Sequence, residues 1–338
     1  MTKAMDFTDL PDLAAARLGG AVLLANDEFF APKENLIRAS DPEWREGLYT
    51  ERGKWMDGWE TRRRREDGHD WCVLRLGLPG RVHGFVVDTT HFRGNYPEEC
   101  SIEGAAVAGH PDPERVAEAA DWREILPRSP LEGDARLLFP VDAGPVEGPP
   151  GGGRVTHLRF AIFPDGGVAR LRAHGRVAPD WDRLIARGGD LDLAALEHGG
   201  VAVASSDMFF GHRNNLLMPG RAVNMGDGWE TRRRRGPGHD WAVIRLGRPG
   251  IVRRVEIDTD HFKGNAPGAC SVDACAAEDW VPPDSADWRA LLPRADLQPH
   301  TRHEFAELRD AGVATHLRLN IFPDGGVARM RAFGSVTT

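Results

Sequence analysis

Cysteine is scarce in this sequence: a chain of 338 residues contains four. They show neither CxxC spacing nor the dense framework of a small secreted domain. Cys100 and Cys270 occupy matching places in the repeat described below, whereas Cys72 and Cys275 face alanines. We therefore expect buried, reduced thiols, which excludes a disulfide-stapled scaffold.

Excess positive charge and long apolar runs are also lacking. The net charge of -8 and the pI near 5.9 give no general attraction to nucleic acid or to an anionic membrane surface. No uninterrupted apolar stretch is long enough to span a bilayer, and MTKAMDFTDLPDL lacks the basic and apolar segments of a targeting signal. The sequence predicts a cytoplasmic protein with neither a nucleic-acid nor a membrane partner.

Several catalytic motifs are absent as well. The sequence has no GxSxG nucleophile elbow, no P-loop, no dinucleotide fingerprint after a strand and no HExxH zinc motif. These absences argue against nucleotide-dependent chemistry.

The sequence does contain a repeat. The stretch from Asp57 to Asn95, with DGWETRRRR, GHDW and VDTTHFRGN, returns from Asp227 to Asn265 as DGWETRRRR, GHDW and IDTDHFKGN. Further on, HLRFAIFPDGGVARLRAHG returns as HLRLNIFPDGGVARMRAFG. We infer a tandem duplication. It predicts a first domain over residues 1–179, a connector over 180–190 and a second domain over 191–338.

Each copy offers about seven or eight short strands and little helix, which is typical of an all-β sandwich or jelly roll. The runs WCVLRLG and RVHGFVVDTT predict two strands joined by a turn at Pro79-Gly80, and FPDGG predicts a hairpin. DWREILPRSPL predicts a short helical connection, and the Gly/Pro-rich segment 141–153 predicts a flexible loop. The predicted architecture is two tandem homologous β-sandwich domains.

Polar side chains cluster at the ends of these strands. Because the loops at one end of a sandwich converge, such residues can share a pocket. Two interpretations of GWETRRRR stay open: arginines that bind a substrate carboxylate or ureido oxygen, or an edge strand whose arginines pair with nearby acids. The candidate substrate-binding residues are Glu60, Arg62, Arg63, Asn95, Glu230, Arg232, Arg233 and Asn265.

The DTTHF and DTDHF turns contain the best titratable candidates. Asp88 precedes His91 by three positions, and Asp258 precedes His261 in the same way. The carboxylate could orient the imidazole as a general base, or both could bind a metal ion, with Asp260 added in the second copy. Alternatively, the aspartate caps the turn and the histidine is satisfied by the backbone.

Together, the paired DGWETRRRR, GHDW, DTxHFxGN and FPDGG blocks resemble the allantoicase (allantoate amidinohydrolase) family, from about Leu23 to Gly334. The resemblance implies hydrolysis of allantoate to ureidoglycolate and urea in purine degradation, on domains similar to galactose-binding jelly rolls. Allantoate carries a carboxylate and two ureido groups on one carbon. We expect the arginines to bind the carboxylate, Glu60, Glu230, Asn95 and Asn265 to hold the ureido groups, and His91 and His261, oriented by Asp88 and Asp258, to transfer protons.

Some alternatives remain open at this stage. A divalent metal such as manganese is compatible with the resemblance, and so is a homo-oligomer. The copies differ at Thr90 and its counterpart Asp260, so they could form one active and one structural pocket, or one shared pocket. The alternative to an enzyme is a non-catalytic jelly-roll protein that binds a carbohydrate or another ligand. The dense set of Arg, His and Asp favours an anionic substrate and proton transfer instead.

Overall fold

The computed structural model describes residues 6–119, 121–141 and 153–337. The chain forms two compact units, Met1–Ala178 and Pro179–Thr338, which we call unit 1 and unit 2. Residues 180–190, predicted as a connector, fall within unit 2 and include a short helix. Most of the segment 141–153, predicted as a flexible loop, lies outside the described residues.

Unit 1 is built mainly of strands. One layer has the order β1–β5–β9–β6–β7, and β8 and β11 pair with β5 outside this path. The elements are β1 (Ala21–Ala25), β2 (Tyr49–Thr50), β3 (Gly53–Lys54), β4 (Trp59–Glu60), β5 (Asp70–Asp88), β6 (Glu99–Ala105), α1 (Pro113–Ala119), β7 (Arg123–Pro130), β8 (Arg136–Pro140), β9 (Val155–Phe163), β10 (Gly167–Val168) and β11 (Arg170–Val177), with 3-10 helices at Phe7–Asp9, Ala16–Leu18 and Lys33–Ile37.

Strand β5 joins the two layers of unit 1. Its first part pairs with β1 and β9, and its second part pairs with β8 and β11. The register with β9 shifts between Arg75 and Gly80. The turn predicted at Pro79-Gly80 is therefore a bulge within one long strand, at a place where proline, which lacks an N–H, interrupts the regular ladder.

The two layers enclose one hydrophobic core in unit 1. Leu74 and Phe85 from the two parts of β5 pack there with Phe160 from β9 and Leu171 from β11, all without solvent exposure. Since each layer buries its apolar face against the other, the unit is a β-sandwich. The all-β prediction is confirmed.

Unit 2 repeats this arrangement. Its strands are hydrogen-bonded in the order β12–β21–β15–β19–β16–β17, and β13 and β18 also pair with β15. As in unit 1, the long strand β15 joins the two layers: its first part pairs with β13 and β19, and its second part pairs with β18 and β21. No helix among the described residues is long and apolar enough to cross a membrane. The elements are α2 (Trp181–Ala186), β12 (Leu191–Asp192), β13 (Val201–Ser205), β14 (Trp229–Glu230), β15 (Asp240–Asp258), β16 (Ala269–Cys275), β17 (Arg289–Asp296), β18 (Arg302–Phe305), β19 (Ala314–Phe322), β20 (Gly326–Val327) and β21 (Arg329–Val336), with 3-10 helices at Leu196–His198, Arg213–Leu217 and Met225–Asp227.

The helical connection predicted for DWREILPRSPL is wrong. Arg123–Pro130 is strand β7, at the edge of its layer, and the equivalent Arg289–Asp296 is strand β17. The register between β6 and β7 shifts at two places. An edge strand with bulges tolerates proline, so Pro127 does not prevent strand formation.

The hairpin predicted for FPDGG is also wrong. Strand β9 pairs with β5 and β6, whereas β11 pairs with β5 in the other layer. Between them, Gly167–Val168 forms β10, which pairs with β4. FPDGG therefore carries the chain from one layer to the other. Through the β10 strand that follows it, this crossing segment pairs with β4, the strand that contains Glu60.

An ion pair, buried in unit 1 and partly buried in unit 2, fixes the start of the DGW stretch in each unit. Arg170 is 2% exposed, and it donates to Oδ2 of Asp57 at 2.6 Å and to the carbonyl of Asp57 at 2.9 Å. Arg329 repeats this contact with Asp227 at 2.8 Å. Because Asp57 leads directly into Trp59 and Glu60, the ion pair positions β4.

Candidate active site

The candidate site of unit 1 is built around Glu60. Strand β4 pairs with β10 on one side, and Glu60 forms a bridge with Ala31 on the other. The Trp59 side chain is fully buried, and its Nε1 donates to the carbonyl of Asp27 at 2.8 Å. The Glu60 side chain is half-buried, and Nδ2 of Asn95 donates to its Oε1 at 2.7 Å.

Asn95 reaches Glu60 from the loop after β5. Its carbonyl accepts a hydrogen bond of 2.7 Å from the N–H of Gly167. The preceding residue, Gly166, has a φ of 137°, and a Cβ atom there would lie 2.7 Å from the Asn95 carbonyl oxygen. Only glycine fits this close approach of two loops.

Unit 2 contains the same pair. Nδ2 of Asn265 donates to Oε1 of Glu230 at 2.5 Å, and the carbonyl of Asn265 accepts from Gly326 at 2.9 Å. Nε1 of Trp229 donates to the carbonyl of Asp207 at 2.8 Å. In both units, the structure thus brings together the glutamate and the asparagine that the sequence singled out.

The environment of Glu60 makes its carboxylate a stronger base. Burial raises the pKa of Glu60 above its ordinary value, and the hydrogen bond from Asn95 offsets part of that increase. A carboxylate with a raised pKa takes up a proton more readily near neutral pH. Glu60 is therefore suited to proton transfer as well as to substrate binding.

Arg62 follows Glu60 by two positions. Its backbone N and its Nε donate to Oδ2 of Asp27 at 2.7 and 3.2 Å, and its Cζ lies 5.3 Å from the centroid of the Phe29 ring. The side chain is still 64% exposed, so its terminal N–H groups are accessible to a ligand. The equivalent residues in unit 2 are Arg232, Asp207 and Phe209.

The remaining arginines of the run differ from Arg62. Arg63 and its equivalent Arg233 are exposed. Arg64 instead donates from Nη1 to Oδ1 of the buried Asp70 at 2.8 Å, and its backbone N–H donates to Asp165 at 2.8 Å. Pairing with a nearby acid therefore describes both Arg64, with Asp70, and Arg62, with Asp27. Because Arg62 is still largely exposed, ligand binding stays a prediction for Arg62 and Arg63.

The DTTHF turn gives its aspartate and its histidine separate partners. Oδ1 of Asp88 accepts the N–H of Thr90 at 2.8 Å, and Nε2 of His91 lies 3.3 Å from the carbonyl oxygen of Pro42. The φ of His91 is 72°, and its backbone N–H donates to Asp134 at 2.8 Å. The expected orientation of His91 by Asp88 is replaced by a capped turn and a histidine bound to the backbone.

The DTDHF turn of unit 2 is similar but contains an additional acid. Asp258 accepts the N–H of Asp260 at 2.8 Å, and Nε2 of His261 lies 3.0 Å from the carbonyl oxygen of Ala222. Oδ1 of Asp260 lies 2.9 Å from Nδ1 of His300. Within the described parts of the chain, no three His, Cys, Asp or Glu side chains are placed to hold a metal ion together.

A cavity of about 640 Å³ lies elsewhere in unit 1, between α1 and the outer face of the five-stranded layer. Its lining includes Trp71, Glu118 and Arg159 but none of the predicted site residues. Arg159 already pairs with Glu103 at 2.6 Å. The convergence of acid, amide and accessible arginine at Glu60, present in both units, is the better candidate for chemistry on a small anion.

Three residues of the group around Glu60 were not among the predicted site residues. Asp27 and Phe29 hold Arg62, and their recurrence in DEFF and DMFF is a signal that could have identified them. Arg52 donates from Nη1 to the carbonyl of Phe29 at 3.2 Å. It lies in an insertion that only the first copy contains, so the repeat gives no indication of it.

Comparison with known proteins yields one family for both units. The allantoicase repeat family matches residues 11–178 and 191–337. The chain is similar to a probable allantoicase from Photobacterium profundum, with 47% identity over 339 residues and 99% of each chain covered. An allantoicase from Dictyostelium discoideum is 46% identical over 96% of this chain and 86% of its own. The crystal structure of allantoicase from Saccharomyces cerevisiae matches with a TM-score of 0.81 and 35% identity, over 96% of this chain and 93% of that chain.

Proposed function

The chain belongs to the allantoicase family, whose members hydrolyse allantoate to ureidoglycolate and urea, and we propose that this reaction takes place beside Glu60 and its repeat Glu230. One observation carries the proposal: each unit contains a glutamate bonded to an asparagine, with an accessible arginine two positions away. Family membership favours the enzyme over the alternative of a non-catalytic carbohydrate-binding protein.

Arg62 is the proposed group for the substrate carboxylate. A guanidinium offers a planar fork of N–H donors that matches a carboxylate. The hydrogen bonds to Asp27 and the contact with Phe29 restrict the Arg62 side chain, so less conformational entropy is lost when substrate binds. The carboxylate bound there would leave the ureido groups near Glu60, and Asn95 would orient them together with Glu60.

Glu60 can exchange a proton with each of the two nitrogen atoms that are bonded to the reacting carbon. Its carboxylate takes the proton from the N–H of the retained ureido group, a C=N bond forms, and the C–N bond to the other ureido group breaks. The departing nitrogen then receives the proton from Glu60 and leaves as urea. Water adds its oxygen to the C=N carbon and its proton to the nitrogen, which gives ureidoglycolate and leaves Glu60 as a carboxylate.

We assign proton transfer to Glu60 rather than to His91. The imidazole of His91 is bound to the carbonyl of Pro42 and lies 5.6 Å from the ring of Trp44, measured between centroids. A folded His91→Ala/His261→Ala protein should therefore release urea within about tenfold of the wild-type rate. A loss of more than about 100-fold, the range of general base catalysis, would return proton transfer to the histidines.

The proposed reaction includes no metal-dependent step, because the donor atoms around Glu60 are one carboxylate, one amide and one guanidinium, a poor ligand set. The divalent ion considered from the sequence is tested by exhaustive chelation. Urea release that falls after chelation and returns with added Mn²⁺ would add a metal to the mechanism.

We also propose that the protein acts in the cytoplasm on free allantoate. Four buried cysteines without a disulfide support a reducing compartment. Separation of cytosolic and membrane fractions, followed by the urea assay, tests this location. Light scattering on the purified protein tests the homo-oligomer that the sequence leaves open.

A further inference from the structure

Unit 1 contains a hairpin for which unit 2 has no equivalent. Strands β2 and β3 pair through Tyr49 with Lys54 and Thr50 with Gly53, within the insertion that follows Arg38. The corresponding segment of unit 2, residues 218–227, is described throughout and contains a 3-10 helix instead. The site of Glu60 and Asn95 in unit 1 and the site of Glu230 and Asn265 in unit 2 thus have different surroundings.

The hairpin contacts the aromatic residue that holds Arg62. Arg52, in the turn between β2 and β3, donates to the Phe29 carbonyl at 3.2 Å, and its Cζ lies 5.5 Å from the centroid of the Phe29 ring. Phe29 is 38% exposed, whereas Phe209, its equivalent in unit 2, is 61% exposed. The hairpin therefore covers in unit 1 a surface that stays open in unit 2.

Arg52 and Arg62 thus contact the same aromatic ring, that of Phe29. Their Cζ atoms are 5.5 and 5.3 Å from the same ring centroid. Asp27 pairs with Arg62, but among the residues that the structure describes no carboxylate pairs with Arg52. Unit 1 thus holds a guanidinium without a paired carboxylate at the same ring as the arginine proposed for the substrate carboxylate.

We propose that Arg52 binds the carboxylate of allantoate together with Arg62, which makes unit 1 the tighter of the two substrate sites. The proposal rests on the proposed function, because it assumes that the anion binds beside Glu60. Two guanidinium groups can each donate to one carboxylate, and a hydrogen bond between charged groups is stronger than a neutral one. The site of unit 2 has Arg232 but no second arginine supplied by a hairpin.

The alternative is that Arg52 only packs the hairpin onto Phe29. Arg52→Met separates the two roles, because methionine keeps an unbranched apolar stem over the ring and removes the charge. Arg52→Lys keeps the charge and loses the planar fork. Arg45→Met is the matched control: Arg45 precedes the same hairpin, pairs with Glu43 and is 58% exposed.

The test is steady-state urea release with allantoate and with its neutral carboxamide analogue. Arg52→Met should raise the KM for allantoate about tenfold or more, with kcat within about threefold and the KM for the carboxamide unchanged. Arg52→Lys should recover part of the affinity, and Arg45→Met should match the wild type. An unchanged KM for allantoate in Arg52→Met would overturn the proposal, and so would an equal rise in KM for both substrates.

Arg62→Met distinguishes failure of this inference from failure of the proposed site. If Arg62→Met raises the KM for allantoate and Arg52→Met does not, the site stands and Arg52 is structural. If both variants keep the wild-type KM and Glu60→Gln/Glu230→Gln keeps the wild-type rate, substrate binds elsewhere and the proposed function of this site fails.

Discussion

The side-chain amide of Asn95 donates a hydrogen bond of 2.7 Å to Glu60, and the repeat of this pair, Asn265 with Glu230, is joined at 2.5 Å. Glu60 lies on β4 and Asn95 in the loop after β5, so the contact holds together two segments that are far apart in sequence. It also sets the orientation of the carboxylate and limits the effect of burial on the pKa of Glu60.

Asn95→Ala, made together with Asn265→Ala, should move the acid limb of the pH–rate profile to higher pH. The hydrogen bond from Asn95 lowers the pKa of Glu60, so its removal raises that pKa further. A general base must be deprotonated, and activity falls as the pH drops through its pKa. The variant should therefore lose activity at a higher pH than the wild type. The measurement is kcat/KM against pH, and an acid limb that stays in place would contradict Glu60 as the base.

Arg170→Met should lower the free energy of unfolding by about 3 kcal/mol, because it removes the main cation from a buried carboxylate. Asp57 is 5% exposed and would keep one cation, Arg38, at 3.2 Å and 52% exposed, together with the N–H of Glu43 at 2.9 Å. Arg123→Met is the matched control, since Arg123 and Asp121 are both about four-fifths exposed and such a pair contributes less than about 1 kcal/mol. Urea denaturation measures the free energy of unfolding of both variants. A similar small decrease in the two would contradict the structural role of the buried pair.

Acid should destabilise each unit through a buried histidine. Burial lowers the pKa of His157 to about 4, with a smaller effect from Arg75, and burial lowers the pKa of His316 to about 4. In the unfolded chain these histidines have a pKa of 6.5. Between pH 4 and pH 6.5 the unfolded chain therefore binds more protons than the folded protein. The stability from these histidines is therefore complete above pH 6.5 and is lost as the pH falls toward 4, by about 3 kcal/mol each.

His157→Gln with His316→Gln checks this pH dependence. Glutamine does not titrate, so the free energy of unfolding of the variant should fall less steeply between pH 6.5 and 4 than that of the wild type. Chemical denaturation at several pH values gives both slopes. Equal slopes would assign the acid sensitivity to other groups.

The sequence predicts the sandwich class and the repeat because alternation and duplication are local properties of the chain. It does not predict that β5 passes through Pro79-Gly80 and changes partners, because that depends on which strands lie beside it. Likewise, DWREILPRSPL has no alternation that marks an edge strand. Its structure is decided by pairing with β6.

Like the fold, the candidate site could be predicted from the sequence only in part. Glu60 and Asn95 could be placed in one region because both lie at strand ends that converge. A spacing of three residues did not fix the direction of the His91 side chain, since His91 adopts a left-handed φ and Asp88 caps the turn. Arg52 could not be predicted at all, because its contact with Phe29 depends on how the hairpin folds back.

Urea release from allantoate by a folded Glu60→Gln/Glu230→Gln protein tests the central claim most directly. Glutamine keeps the size of the side chain but cannot take up the substrate proton, so kcat should fall by about 100-fold or more. Glu66→Gln, a change at an exposed glutamate just beyond the arginine run, should keep the wild-type rate. A double variant that releases urea at the wild-type rate would contradict the assignment of the reaction to these glutamates.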